Sequence, residues 1–138
     1  MASLYQNIRG ALQNRLAGVA GIPDIAYEGS VYTPLPKTPY VDCKFMPGSG
    51  RPATMGDGHL VKHQGTFEIN AVYPSGVGTG AAEAMADTIK AAFTASTILT
   101  LNSVTVRLSY AERGPVMPDA TWIRLPISVG WYLYSTDY

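Results

Sequence analysis

The run from Gln64 to Phe93 constrains this chain more than any other segment. Thr66-Phe67-Glu68-Ile69-Asn70-Ala71-Val72-Tyr73 alternates in the two-residue period of a half-buried strand. It stops at Pro74-Ser75-Gly76-Val77-Gly78-Thr79-Gly80, and an alanine-rich amphipathic stretch follows from Ala81 to Phe93. A strand, a glycine turn and a helix in that order predict an α+β core. Phe67, Ile69, Ala71 and Tyr73 are expected to face inward, as are Ala82, Met85, Ala86, Ile89, Ala92 and Phe93 of the helix.

The same turn lies where phosphate loops lie, between a strand and a helix N-terminus. A Walker loop ends in Gly-Lys-Ser/Thr, yet no lysine occurs here before Lys90. A dinucleotide fingerprint spaces its glycines G-x-G-x-x-G, and here the third comes one position early. The turn is therefore expected to be scaffold, with Thr79 or Gly80 as N-cap and Glu83 the capping-box acid if Gly80 caps. No cofactor is expected.

Ser3 can cap a first helix whose apolar stripe is Leu4, Ile8, Ala11, Leu12 and Leu16, ending at Gly18 and Gly21-Ile22-Pro23. Ile25 to Tyr32 reads as a short strand or extended segment, and Pro34, Pro36 and Pro39 make a stiff connector. Tyr40 to Met46 is a second strand, with Cys43 on the face of Val41 and Phe45. Residues 47–58 hold four glycines and two prolines, which predicts a flexible hairpin loop.

From His59 the chain is extended to Tyr73, with Gly65 a bend or bulge. An unbroken strand of that length would span about 50 Å at ~3.3 Å per residue. The His59–Gln64 arm is therefore expected to project as one side of a hairpin tipped by the glycine loop, in need of a partner. Val104, Val106, Leu108 and Tyr110 mark one later strand, and Ile123, Leu125, Ile127, Val129, Trp131 and Leu133 another, joined by a loop over Glu112–Asp119. Pro126 in the last strand suggests an edge or a bulge. The expected architecture is one α+β domain over residues 1–138, in the order α-β-β-β-α-β-β. It has a single, mainly antiparallel sheet of about five strands, two helices packed on one face, and a projecting β-hairpin.

Catalytic constellations are not apparent. His59 and His63 would sit about 13 Å apart on a strand, too far to share a metal, and Leu60 stands where H-E-x-x-H needs its glutamate. No G-x-S-x-G elbow occurs, and Asp42, Asp57, Asp87 and Glu112 are dispersed. Cys43, the only cysteine, reads as a buried thiol in a reducing compartment. Lys+Arg and Asp+Glu are 10 each, so no net charge draws the chain to nucleic acid. Only 14% of residues are charged, against roughly 25% in an ordinary soluble domain. Together with 9 Tyr and 2 Trp, that describes a surface suited to association. The N-terminus lacks the pattern of a secretory leader and no run suits a membrane span, so synthesis and retention in the cytoplasm are expected.

The layout resembles the tail terminator family of long-tailed bacteriophages, the lambda-type minor tail protein and its relatives. The resemblance is carried by Ile8-Arg9-Gly10-Ala11-Leu12-Gln13-Asn14-Arg15-Leu16, Ala26-Tyr27-Glu28-Gly29 and Tyr32 to Tyr40. It continues through Gln64 to Gly78, Ala84-Met85-Ala86-Asp87-Thr88-Ile89 and Trp122-Ile123-Arg124-Leu125-Pro126-Ile127-Ser128-Val129. It implies a non-enzymatic virion subunit that forms a ring, a hexamer in this family, on the head-proximal end of the tail tube. The ring would stop tube polymerisation and offer the surface that joins the head. Partners would be further copies, the tail tube protein and a head-completion or connector protein, with DNA only passing through the lumen and no membrane. Arg51, Met55, Asp57, His59 and Lys62 on the hairpin are the expected contacts with the tube or a neighbouring subunit. A stopper or tail-completion protein, a tube subunit and a small enzyme are the alternatives.

Overall fold

In the computed structural model, described for residues 3–33, 38–52, 61–76, 78–95, 97–118 and 121–135, two helices lie against one seven-stranded sheet. Helix α1 spans Leu4–Ala17 and α2 Gly80–Ala92. The strands are β1 (Asp24–Ala26), β2 (Tyr40–Pro52), β3 (Val61–Pro74), β4 (Ile98–Leu101), β5 (Val104–Arg113), β6 (Met117–Pro118) and β7 (Trp122–Ser135). Sheet order is β1-β2-β3-β7-β5-β4, with β6 paired to β7. The α+β expectation is met, but the sheet is larger than five strands, strongly curled and mixed, because β1 runs parallel to β2.

Helix α1 starts in a reciprocal capping box. Ser3 Oγ accepts from the Gln6 amide at 3.2 Å, and Gln6 Oε1 accepts from the Ser3 amide at 2.7 Å. Ile8, Leu12 and Leu16 are fully buried, with Ala11 close to it. Asn7, outside the apolar stripe, is also buried, and its side-chain oxygen accepts from Asn102 Nδ2 at 3.0 Å. Helix α2 buries Ala82, Ala86 and Ile89, and Phe93 follows at its C-terminus. These residues join Val41, Cys43, Phe45, Phe67, Ile69, Ala71, Val106, Leu108 and the alternating β7 residues Ile123 to Leu133 in one core.

Strand β3 runs unbroken for 14 residues, matched one-to-one with β7 from Val61↔Ser135 to Pro74↔Trp122. The His59–Gln64 arm was expected to leave the body; from Val61 onward it is instead held between β2 and β7. Val61 and His63 are buried on the helix side. A strand this long fits because the sheet curls and its neighbours are equally long.

The bulge lies in β2, between Pro47 and Gly50, rather than at Gly65. Gly65 is required by packing. A Cβ there would meet Trp131 Cζ2 at 2.6 Å and the Gly48 amide nitrogen at 2.9 Å, beneath the Trp131 ring that stacks on Phe45 at 5.2 Å.

Several further features depart from the sequence reading. First, β4 pairs with β5 through the two-residue turn Asn102–Ser103, both at positive φ (50° and 67°), the geometry that suits a twisted hairpin. Second, a register shift between Leu108 and Tyr110 inserts one residue in β5. It turns Tyr110 to the outer face, across Gly130, where it is 40% exposed, and Ala111 to the core. Third, Pro126 lies in an interior strand. Its carbonyl accepts from the Gly114 amide at 2.9 Å, so its missing N–H falls where β5 gives way to β6. The expected Glu112–Asp119 loop is shorter, since β5 reaches Arg113 and β6 re-pairs at Met117.

Gly65→Ala should destabilise the fold by about 1–3 kcal/mol, because the added methyl meets a stacked indole and backbone. Chemical denaturation checks this. An unchanged midpoint would mean that Trp131 repacks freely.

Candidate assembly surface

The hairpin that carries the sequence-predicted contacts is only partly described. Arg51 and Lys62 are cross-strand partners in the β2–β3 ladder. The Lys62 ammonium lies 5.2 Å from the centroid of the Tyr132 ring, on the sheet face away from the helices, and Tyr132 meets Tyr134 edge-on. Met55, Asp57 and His59 lie outside the described residues, as does the Arg51 side chain. On the opposite face His63 sits under helix α1, its Nδ1 3.1 Å from Tyr5 Oη.

The outer face has its own small cluster near the start of β2, which the alternation of β3 does not announce. Val72, one position out of phase with the core, is fully buried there. Tyr40 packs against Tyr32 at 5.1 Å and Trp122 at 5.6 Å. Beside it Asp42 accepts from Asn70 Nδ2 at 2.8 Å and from Arg124 Nη1 at 2.7 Å. Hydrogen bonding and charge from Asp42 hold the Arg124 guanidinium charged. This network crosses three strands and locks their register on the exposed face.

Glu28 closes the free margin of β2. Strand β1 covers only Tyr40 to Asp42, which leaves the Phe45 amide pointing outward. Glu28 Oε1 accepts from that amide at 3.0 Å and from Arg9 Nη1 at 2.6 Å, and Arg9 lies 5.0 Å from the centroid of the Phe45 ring. The Phe45 hydrogen bond and then the Arg9 interaction outweigh burial and hold the Glu28 carboxyl below its usual value. A charged side chain on an edge donor is a standard guard against unwanted strand pairing. Spacing alone could not have paired Glu28 with Phe45; the Ala26-Tyr27-Glu28-Gly29 turn brings them together.

The remaining chemical candidates do not converge. Burial pushes the Cys43 thiol up to about 11, so it is a packing group and a poor nucleophile. Glu83 and Asp87 lie 3.9 and 3.8 Å from Arg113 Nη1, exposed pairs of small energetic weight. Gly76 and Gly78 have φ of 89° and 83°, and a Cβ at either would meet nothing within 4 Å. Left-handed torsion alone accounts for both. The N-cap is Thr79, without a side-chain bond, which places Glu83 beyond the capping-box position. Among the described residues no three His, Cys, Asp or Glu could hold a metal ion, and no helix is long and apolar enough to cross a membrane.

A groove of about 350 Å³ lies between the end of α2 (Lys90, Thr94, Ala95) and Ser109 to Glu112 of β5. A second, of about 360 Å³, separates Asn14, Arg15, Gly18 and Val19 from Thr88 and Ala92. Arg15 Nε bridges that second groove to the Ala92 carbonyl at 2.8 Å. Neither contains a set of acid, base and nucleophile.

A family model described as phage tail terminator protein matches residues 7–131. No curated protein matches. One solved structure, which bears no descriptive name, is 25% identical over 91% of this chain and 92% of its own, with a TM-score of 0.71. A chain from the virion of a native gene transfer agent particle is 18% identical, covering 98% of this chain and 100% of its own, with a TM-score of 0.63. At that identity the likeness is one of fold.

Two measurements follow. The depressed Glu28 carboxyl contributes stability that is present above the ordinary carboxylate value near ~4.3 and lost as pH falls through the folded-state value. Denaturation midpoints should therefore fall more steeply with acid in the wild type than in Glu28→Gln; parallel curves would remove Glu28 from the edge. Cys43 should resist alkylation at pH 8 in the folded protein and react only on unfolding, as read by mass spectrometry.

Proposed function

The chain belongs to the phage tail terminator family, and from that premise we propose that it forms a ring on the head-proximal end of the tail tube, ends tube growth and offers the surface to which the head joins. The family match over residues 7–131 carries the reading and makes the protein a phage tail structural protein. A charge-poor, tyrosine-rich chain supports it, since such a surface favours association.

The mechanism is steric and interfacial. The ring's lower face pairs with the last ring of tube protein, and its upper face accepts a head-completion or connector protein in place of another tube subunit. DNA passes through the lumen without specific contacts, in keeping with scattered basic residues. Arg51, Met55, Asp57, His59 and Lys62 are the proposed contacts with tube or neighbour. Arg51 and Lys62 support this reading as cross-strand partners at the end of a three-stranded slab. The slab holds the two ends of the 53–60 stretch together, with Pro52 paired to Val61.

Electron microscopy of the purified protein, alone and mixed with tail tubes, tests the reading. Closed rings capping tube ends are expected. Long tubes would make it a tube subunit, binding only to the portal side would make it a stopper, and indifference to tubes at high concentration would overturn the proposal. Replacing residues 53–60 by a short glycine-serine turn should leave a folded subunit that caps at least tenfold more weakly, on the scale of losing an interface hot spot. Unchanged capping would remove the tip from the contact.

A further inference from the structure

The two margins of the sheet differ in kind. On the β1–β2 side, β1 covers Tyr40 to Asp42, Glu28 takes the Phe45 amide, and Pro47 has no N–H to offer. On the other side β4 ends at Ile98, opposite Arg107; beyond it the Leu108 amide donates to the Thr97 carbonyl at 3.0 Å, and among the described residues none pairs with β5 further along, at Ala111 and Arg113. The ladder phase decides which groups are open there. Gly114 donates to Pro126 across β5–β7, so the alternate residues Arg113 and Ala111 turn their N–H and C=O away from β7. Ala111 borders the 350 Å³ groove with Thr94, Ala95 and Tyr110, and Ile98 near it is 53% exposed. An unpaired edge beside an apolar groove accepts an extended segment through main-chain hydrogen bonds.

The β1–β2 side presents a segment of the complementary kind. Val31 is 98% exposed and lies outside helix and strand, on a stretch anchored by Tyr32 packing on Tyr40. Asp24 is the ladder partner of Tyr40, the residue on which Tyr32 packs, so Asp24 lies at the base of this segment. The groove's rim carries the exposed cation Lys90. Knob and groove thus sit toward opposite margins of one sheet, with opposite charges alongside.

We propose that the Val31 segment of one copy enters the β5–α2 groove of the next, with Asp24 facing Lys90. This rests on the ring reading above. Two different surfaces meeting head to tail propagate around a ring when the rotation closes. Two β5 edges meeting about a two-fold axis would instead stop at a dimer and leave Val31 uncovered.

Engineered cysteines test the contact, because native Cys43 is buried. Val31→Cys with Ala95→Cys in one chain should give covalent multimers beyond the dimer on a non-reducing gel, collapsing on reduction. Each single variant should stop at the dimer or below. A disulfide needs Cα atoms within roughly 7 Å, so the ladder reports seating in the groove. In parallel, Asp24→Lys and Lys90→Asp should each weaken ring assembly several-fold, and the double exchange should restore it. Rings of the double-cysteine variant without a covalent ladder would overturn this contact and leave the ring intact. Absence of rings from the wild type, alone and on tubes, would overturn the ring reading and this contact with it.

Discussion

The antiparallel pairing of β3 with β7 is the interaction on which the rest of the molecule depends. It runs through 14 residues without a register slip, and both strands are interior to the sheet. Period-two side chains then align Phe67, Ile69 and Ala71 beside Val129, Ile127 and Leu125 on the helix face. A slip of one residue would turn all of these to solvent. At about 1.5–3 kcal/mol for each large apolar side chain buried, no local preference could offset that loss. Helix α2 packs on this pair, and β2 and β5 extend it to either side.

Polar interactions do different work on the two faces. Asp42, Asn70 and Arg124 tie three strands together on the solvent side, where hydrophobic burial is thin. Glu28 and Arg9 finish the β2 margin, where backbone donors would otherwise be left open. Among the described residues the β5 margin has no such guard along Ala111 and Arg113. Under the proposed head-to-tail contact, a sheet with one closed and one open edge would give association a direction.

Much of this was legible in the residues. The Ser3 cap, the α1 and α2 stripes and the alternation from Ile123 to Leu133 are local patterns, and the fold uses them as read. Strand β4 is poorly marked in the sequence, because Asn102-Ser103 lacks the glycine usual in a two-residue hairpin turn. The β5 bulge was not legible, because Val104 to Tyr110 alternates cleanly. Only the need to lay Tyr110 over Gly130 reveals the inserted residue. Pro126 misled for a similar reason, since a missing N–H matters only on the side where a partner waits.

Sequence by itself determined the elements, their buried faces, the scaffold character of the glycine turn and the family signature, because each is written in spacings of a few residues. Tertiary structure alone decided that the hairpin arm is held from Val61 onward, that Gly65 makes room for an indole, that Glu28 guards an edge and that, among the described residues, the β5 edge is open at Ala111 and Arg113. These depend on which strands become neighbours. Neighbours in this sheet are brought together over long stretches of chain by burial of a shared face, and that is a property no local window contains.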